Sequence, residues 1–241
     1  MKIKYIHHSG FLVEDSTFTL MIDCCGLKRN GPEVRATNEV DDADKYLYVL
    51  ASHIHGDHFD PNILSFNGAQ TKWILSADIR SSNFVGKAPD RENMYFVARW
   101  DVYRDEKVTI KAYGSTDEGV SFYIEAGGYK IFHAGDLNNW HWNEEETPED
   151  AAKNERYFLD ELAHIAREVP SLDAAMFPVD PRLGKDYTRG AEQFLDSIKT
   201  GLFIPMHFWD KTEAARAFRP AAELRGCRFA DIRARGDVFE V

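Results

Sequence analysis

Three histidines and an aspartate fall within Ser52-His53-Ile54-His55-Gly56-Asp57-His58, in a chain of 241 residues that has nine histidines in all. A structural histidine usually stands singly. Four imidazole and carboxylate donors in one loop repel one another when charged and gain nothing when neutral, unless a cation organises them. Imidazole nitrogen mixed with carboxylate oxygen suits Zn²⁺ first, then Mn²⁺ or Fe²⁺, and not Ca²⁺ or Mg²⁺ with their all-oxygen shells. The chemistry such a centre offers is hydrolysis. A divalent ion draws the pKa of water from about 16 towards about 7 and polarises a carbonyl or phosphoryl oxygen.

Further donors stand in equivalent places, each just past an apolar run that reads as a strand. Asp23 ends Leu20-Met21-Ile22, Asp136 follows Phe132-His133-Ala134-Gly135, and His207 follows Phe203-Ile204-Pro205-Met206. Loops at strand ends are where the working residues of layered folds collect. His8 closes the first strand and is expected behind the ligands, supporting them. His133 reads as a strand-end histidine bonded to backbone, and His164 as a packing or surface residue. Asn138-Asn139-Trp140-His141-Trp142 comes directly after Asp136, at the mouth of the expected cleft. There Trp142 could hold an apolar or sugar-like part of a substrate, and His141 could serve as a general acid or extra ligand. The alternative for the tryptophans is that they plug the base of the following helix.

The elements that must position these residues are strands in the first half and mixed strands and helices later. Lys2–His7, Phe11–Glu14 and Phe18–Ile22 predict an antiparallel meander, and Tyr46–Leu50 a buried strand. Between them, Leu27–Asp44 is polar and rich in turn formers, and reads as a loop. Short helices are expected at Pro61 and near Ala77, and strands at Trp73–Leu75, Val108–Tyr113, Val120–Ile124 and Tyr129–Phe132, with Gly127-Gly128 as a hairpin signal. Thr147-Pro148 opens the longest helix, with an N-cap residue followed by proline. Strand Leu172–Val179, helix Ala191–Ile198, strand Phe203–Met206, helix Glu213–Leu224 and a strand near Val238 complete the chain. Two halves of similar make-up predict an α/β fold, two sheets face to face with helices outside, as one domain over 1–241.

His-x-His-x-Asp-His after an apolar strand, Gly135-Asp136 after a later one and Pro205-Met206-His207 near the end resemble the metallo-β-lactamase-fold superfamily of metal-dependent hydrolases. The His8-Ser9 element and Phe132-His133-Ala134-Gly135-Asp136 look most similar to small bacterial hydrolases related to L-ascorbate-6-phosphate lactonase. The resemblance implies a four-layer αβ/βα sandwich with the site along one edge of both sheets. It further implies that His53 and His55 bind a first ion, that Asp57, His58 and His207 bind a second, and that Asp136 bridges them. Asp23 matches the aspartate that fixes a ligand imidazole, and Asp57 would also orient the attacking water. One expected ligand is missing: Gly114 stands where the family has a histidine. The first ion then relies on His53, His55 and Asp136, or recruits Asp117 (failing that, Ser115 or Thr116) as a substitute, so one or two ions remain open.

Lys and Arg number 29 against 40 Asp and Glu, a net charge of −11. That balance disfavours nucleic acid and anionic membranes, both of which require basic excess. The start lacks the apolar core of a signal peptide, and no run approaches the roughly 18 apolar residues that span a bilayer. A cytoplasmic protein is expected, with Cys24, Cys25 and Cys227 reduced. The expectation is a metal-dependent hydrolase acting on a small-molecule ester, lactone or amide, with a homo-oligomer left open. The rivals are a phosphodiesterase on the same fold, an iron-dependent redox enzyme, and a degenerate site that only binds or senses metal.

Overall fold

In the first strands, successive side chains alternate between two apolar clusters. The computed structural model describes residues 1–25, 45–65, 70–85 and 92–241, so the loop expected over 27–44 lies outside the described residues. Strands β1 (Lys2–His7), β2 (Gly10–Glu14), β3 (Phe18–Ile22), β4 (Tyr46–Ala51) and β5 (Thr71–Ser76) send Tyr5, Phe11, Val13, Leu20, Leu50 and Ile74 to one face. Leu12, Met21, Val49, Trp73 and Leu75 point to the other, against Phe59, Ile63 and Ile79. A strand apolar on both faces belongs inside a layered fold, covered on both sides. The covering pieces on the outer face include two 3₁₀ turns, Pro61–Ser65 and Ala77–Ser81, where short helices were expected.

Strand β6 (Met94–Val97) ends the first sheet, and β14 (Val238–Glu240) forms its other edge, giving the order β14-β1-β2-β3-β4-β5-β6. The second sheet runs β13-β12-β11-β10-β9-β8-β7. Its members are β7 (Val102–Arg104), β8 (Val108–Tyr113), β9 (Ser121–Ala126), β10 (Tyr129–His133), β11 (Ser171–Pro178), β12 (Lys199–Met206) and β13 (Arg228–Phe229). Both sheets are mixed: β1 to β3 and β7 to β10 are antiparallel, whereas β3 to β6 and β10 to β13 are parallel. One cluster joins the two inner faces, from Phe11 and Leu50 to Phe122, Phe132, Phe177 and Phe203. The architecture is the expected αβ/βα sandwich.

Helix α1 (Pro148–Glu168) is capped by Thr147, whose hydroxyl accepts from the Asp150 amide at 3.2 Å, and buries Phe158, Leu162 and Ile165 at helical spacing. Helix α2 spans Arg189–Ser197. The single helix expected over 213–224 is two, α3 (Thr212–Ala217) and α4 (Arg219–Leu224), because Pro220 in the first turn of α4 has no amide proton to continue α3. No helix among the described residues is long and apolar enough to cross a membrane.

Candidate metal centre

Open α/β sheets bind ligands outside the carboxyl ends of their strands, and here five such ends meet. Asp23 follows β3, Ser52–His58 follows β4, Asp136 follows β10, Asp180 follows β11 and His207 follows β12. A backbone bond from the His207 amide to the His8 carbonyl, 3.2 Å, ties the end of β12 to the end of β1 across the two sheets. His8, Asp23 and His207 all have left-handed backbones, at φ 53°, 46° and 62°. For non-glycine residues this conformation costs on the order of 1–3 kcal/mol and concentrates at functional sites. Gly135, at φ 54°, brings its loop against Ser52, where a Cβ would lie 2.8 Å from the serine Cβ.

The donors form two groups. His8, Asp57, His58 and His207 bring one ligand atom each within 4.8 Å of one another, and His53, His55 and Asp136 do the same. In the first, Asp57 Oδ2 lies 3.4 Å from His8 Nε2, 4.0 Å from His58 Nε2 and 3.9 Å from His207 Nε2. Ligands about 2.1 Å from a tetrahedral ion sit roughly 3.4 Å apart, so these spacings are those of a coordination shell. Asp136 faces both groups: Oδ1 is 3.0 Å from His58 Nε2 and 3.2 Å from His207 Nε2, while Oδ2 is 3.4 Å from His53 Nε2.

Whether a cation fits is answered by what these atoms lack. His8 Nδ1 and Nε2, His53 Nε2, His58 Nε2, His207 Nε2 and Asp136 Oδ1 are buried without a hydrogen-bond partner. Leaving a buried polar atom unpaired costs about 1–3 kcal/mol, and unpaired atoms on every buried histidine of the two donor groups call for a partner the side chains do not supply. For three of the rings the opposite nitrogen is firmly held. His53 Nδ1 meets Ser52 Oγ at 3.0 Å, His58 Nδ1 meets Asp23 Oδ2 at 2.7 Å, and His207 Nδ1 meets Asp180 Oδ2 at 2.9 Å. A carboxylate on Nδ1–H fixes the tautomer that turns the Nε2 lone pair inward. The donor set fits a divalent cation.

Charge agrees with this. Burial pulls His8 and His53 down to about 4. Burial also opposes charge on His58, yet Asp136 and Asp23 outweigh it and push the ring up to about 10, and Asp136 and Asp180 raise His207 in the same way. Against its burial, Asp136 is held well below the usual carboxylate range by His207 and His58. Positive charge is therefore demanded between Asp136 and these rings, and a proton or a metal ion supplies it.

Several expectations change. His8 does not stand behind the donor group but within it. The left-handed turn carries its ring to 4.2 Å from that of His207. His141 is corrected too: its Nε2 meets the Asp186 carbonyl at 3.2 Å and its Nδ1 accepts from the Asn143 amide at 3.1 Å. With both nitrogens engaged by backbone, it has none for a substrate or a metal. Trp142 lines a cavity of about 300 Å³ over Asp136 and His207, together with Trp140. Trp140 Nε1 donates to the Asp136 carbonyl at 2.8 Å, so this ring also supports the site.

Asp117 lines the same cavity but stands outside both donor groups, and burial and Asp136 push its carboxyl up. The Gly114 position is closed. Its amide donates to Glu161 Oε1 at 2.7 Å, and a Cβ would fall 2.8–2.9 Å from that carboxylate, which also pairs with Arg99 at 2.6 Å. His133 bonds the Ser9 carbonyl at 2.8 Å through Nε2. Asp180 was not anticipated, although Asp180 follows a strand as Asp23 does.

A protein of Symbiobacterium thermophilum named as a UPF0173 metal-dependent hydrolase is 26% identical over 226 residues, covering 86% of this chain and 84% of that protein. One of the same description from Deinococcus radiodurans is 28% identical over 242 residues, 94% and 93% of the two chains. Among solved structures, Igni18, described as a novel metallo hydrolase from Ignicoccus hospitalis, superposes with a TM-score of 0.66 at 16% identity, covering 100% of this chain and 98% of that one. The metallo-beta-lactamase fold protein YhfI of Bacillus subtilis gives 0.65 at 15%, covering 99% and 98%. The family model described as "Beta-lactamase superfamily domain" matches residues 2–152, from the first strand past Asp136, and the chain belongs to that superfamily.

Proposed function

We propose that this chain is a metal-dependent hydrolase acting on a small-molecule ester, lactone or amide. The observation that carries the reading is that the two donor groups hold buried ring nitrogens and an Asp136 oxygen with no hydrogen-bond partner. In this reading His8, Asp57, His58 and His207 would hold one divalent ion and His53, His55 and Asp136 a second. Zinc is the first expectation, manganese or iron the next. A bound ion supplies water of lowered pKa and Lewis-acid polarisation of the substrate.

The chain's own residues do the rest. Asp23 and Asp180 keep His58 and His207 in the metal-facing tautomer. Asp57 is half-exposed, unlike Asp136, and its carboxylate is held low by His8 against the effect of burial. It stays ionised at neutral pH and orients the attacking water. Trp140 and Trp142 wall the cavity against bulk water and offer a flat face to the apolar part of a substrate. A cavity of about 300 Å³ suits a small molecule and not a polymer. A cytoplasmic protein working as a single domain over 1–241 accords with the reading.

The test is a panel of lactone, ester, amide and phosphodiester substrates run with Zn²⁺, Mn²⁺ and Fe²⁺ on the full chain. Turnover of a carboxylic substrate, abolished by Asp57→Ala and by His58→Ala in folded protein, is expected. Phosphodiester cleavage alone, stoichiometric iron with a visible absorption band, or full activity in either variant contradicts it.

A further inference from the structure

One cation, Arg182, stands on the wall of the cavity and belongs to neither donor group. Arg182 lines the space together with Asp136, His207, Trp140 and Trp142, and its side chain is 49% exposed. One edge of the guanidinium is committed: Nε lies 2.8 Å and Nη2 2.5 Å from Asp180 Oδ2, and Nε is also 3.1 Å from Oδ1. Asp180 is fully buried and accepts the Arg182 amide at 2.9 Å as well, so the fork is anchored at its base. Nη2 lies 3.5 Å from Nδ1 of His207, which sets the guanidinium beside that ring. Among the described residues Nη1 has no hydrogen-bond partner. The three acids on the same lining, Asp117, Asp136 and Glu146, form no ion pair with it, and Glu146 accepts instead from Asn154 at 2.8 Å.

A guanidinium fixed along one edge and open along another is pre-organised for an oxyanion, since its planar donors match carboxylate and phosphate oxygens and the side-chain entropy has already been lost. We propose that Arg182 recognises an anionic group on the substrate, a carboxylate or a phosphate, and so confines the site to small molecules that carry such a group beside the bond to be cleaved. This rests on the hydrolase reading for the bond that breaks, though not for the anion that binds. Asp180 serves both functions, orienting His207 on one side and aiming Arg182 on the other.

The test compares para-nitrophenyl butyrate with para-nitrophenyl hemisuccinate, matched in length and differing in one terminal carboxylate, on metal-loaded full-length protein, Arg182→Gln and Arg182→Lys. The wild type should prefer the hemisuccinate in kcat/KM, and Arg182→Gln should reduce that preference by tenfold to a hundredfold, on the order of one charged hydrogen bond. Metal content is measured alongside. Should Arg182→Gln lose metal, Arg182→Lys decides, keeping the charge and losing part of the preference. A preference that is absent in the wild type, or undiminished in both variants, overturns the proposal. If neither ester is cleaved, the hydrolase reading for esters fails, and calorimetric titration with succinate, succinamide and inorganic phosphate tests the anion alone. Succinate or phosphate binding weakened at least tenfold by Arg182→Gln upholds the proposal and tells which anion is held; binding equal in the two proteins, or equal for succinate and succinamide with no phosphate bound, overturns it.

Discussion

Asp180 Oδ2 lies 2.9 Å from Nδ1 of His207, and both side chains are buried. Asp23 has the same relationship with His58 at 2.7 Å, from the other sheet. Each carboxylate follows the end of a parallel strand, so the two halves of the sandwich supply one buried aspartate and one aimed imidazole apiece. Asp180→Asn keeps an acceptor for the ring but removes the charge that raises its basicity. Its affinity for Zn²⁺, measured by competition with a chromogenic chelator, should fall about 10–100-fold. Unchanged affinity would show that Asp180 does not tune the centre.

Asp23 has a further structural duty. It accepts the Ser52 amide at 2.7 Å, the Ser52 hydroxyl at 2.6 Å and the His58 ring, all in a fully buried place. Removing one member of such a buried network strands the others, at about 3–5 kcal/mol. Asp23→Ala should therefore lower the urea unfolding midpoint of the metal-free chain well beyond Asp57→Ala, whose carboxylate is part-exposed. Equal midpoints for the two variants would contradict this.

The HxHxDH loop, Asp136 and His207 were legible because each sits just past an apolar run, and a strand end is a local signal. Asp180 carries the same signal in Pro178-Val179-Asp180, but a strand-end aspartate alone does not tell a buried partner of histidine from a solvated turn residue. His8 is hard to place from sequence for a different reason: its left-handed backbone and the bond from the His207 amide bring it into the cluster, and neither is written in local sequence. His141 looked available because loop histidines are usually exposed, yet the loop folds back and spends both nitrogens on backbone. Edge strands β6, β7 and β13 are two to four residues long, too short to show a period of two. The resemblance to ascorbate-phosphate lactonases rests on the motifs alone.

At Gly114, where the resemblance implies a histidine, the Glu161 carboxylate fills the space a side chain would need. Gly114→Ala should cost about 1–3 kcal/mol by overpacking, and Gly114→His should add no ion, because Glu161 is pinned by the Gly114 amide and Arg99. Counting metal by atomic emission on the histidine variant checks it. A gain of one ion per chain would show that the pocket opens.

Metal-free protein should have a stability optimum near the ordinary histidine pKa. His8 and His53 fall to about 4 when folded, so the unfolded chain binds more protons between about 6.5 and 4, and stability drops as pH falls through that window. His58, despite its burial, rises to about 10, so its contribution is complete below about 6.5 and lost as pH climbs towards 10. Urea midpoints taken at about pH 4.5, 6.5 and 9 should peak in the middle. Adding Zn²⁺ should flatten the alkaline arm, since the ion replaces the proton on His58. A midpoint rising steadily to about pH 9 without metal would contradict the assignment.

Anomalous scattering from crystals grown with Zn²⁺ addresses the centre itself. The account predicts two peaks, one enclosed by His8, Asp57, His58 and His207 and one by His53, His55 and Asp136, with the Asp136 carboxylate between them. Crystals that diffract well and show no anomalous peak within reach of these side chains would contradict it.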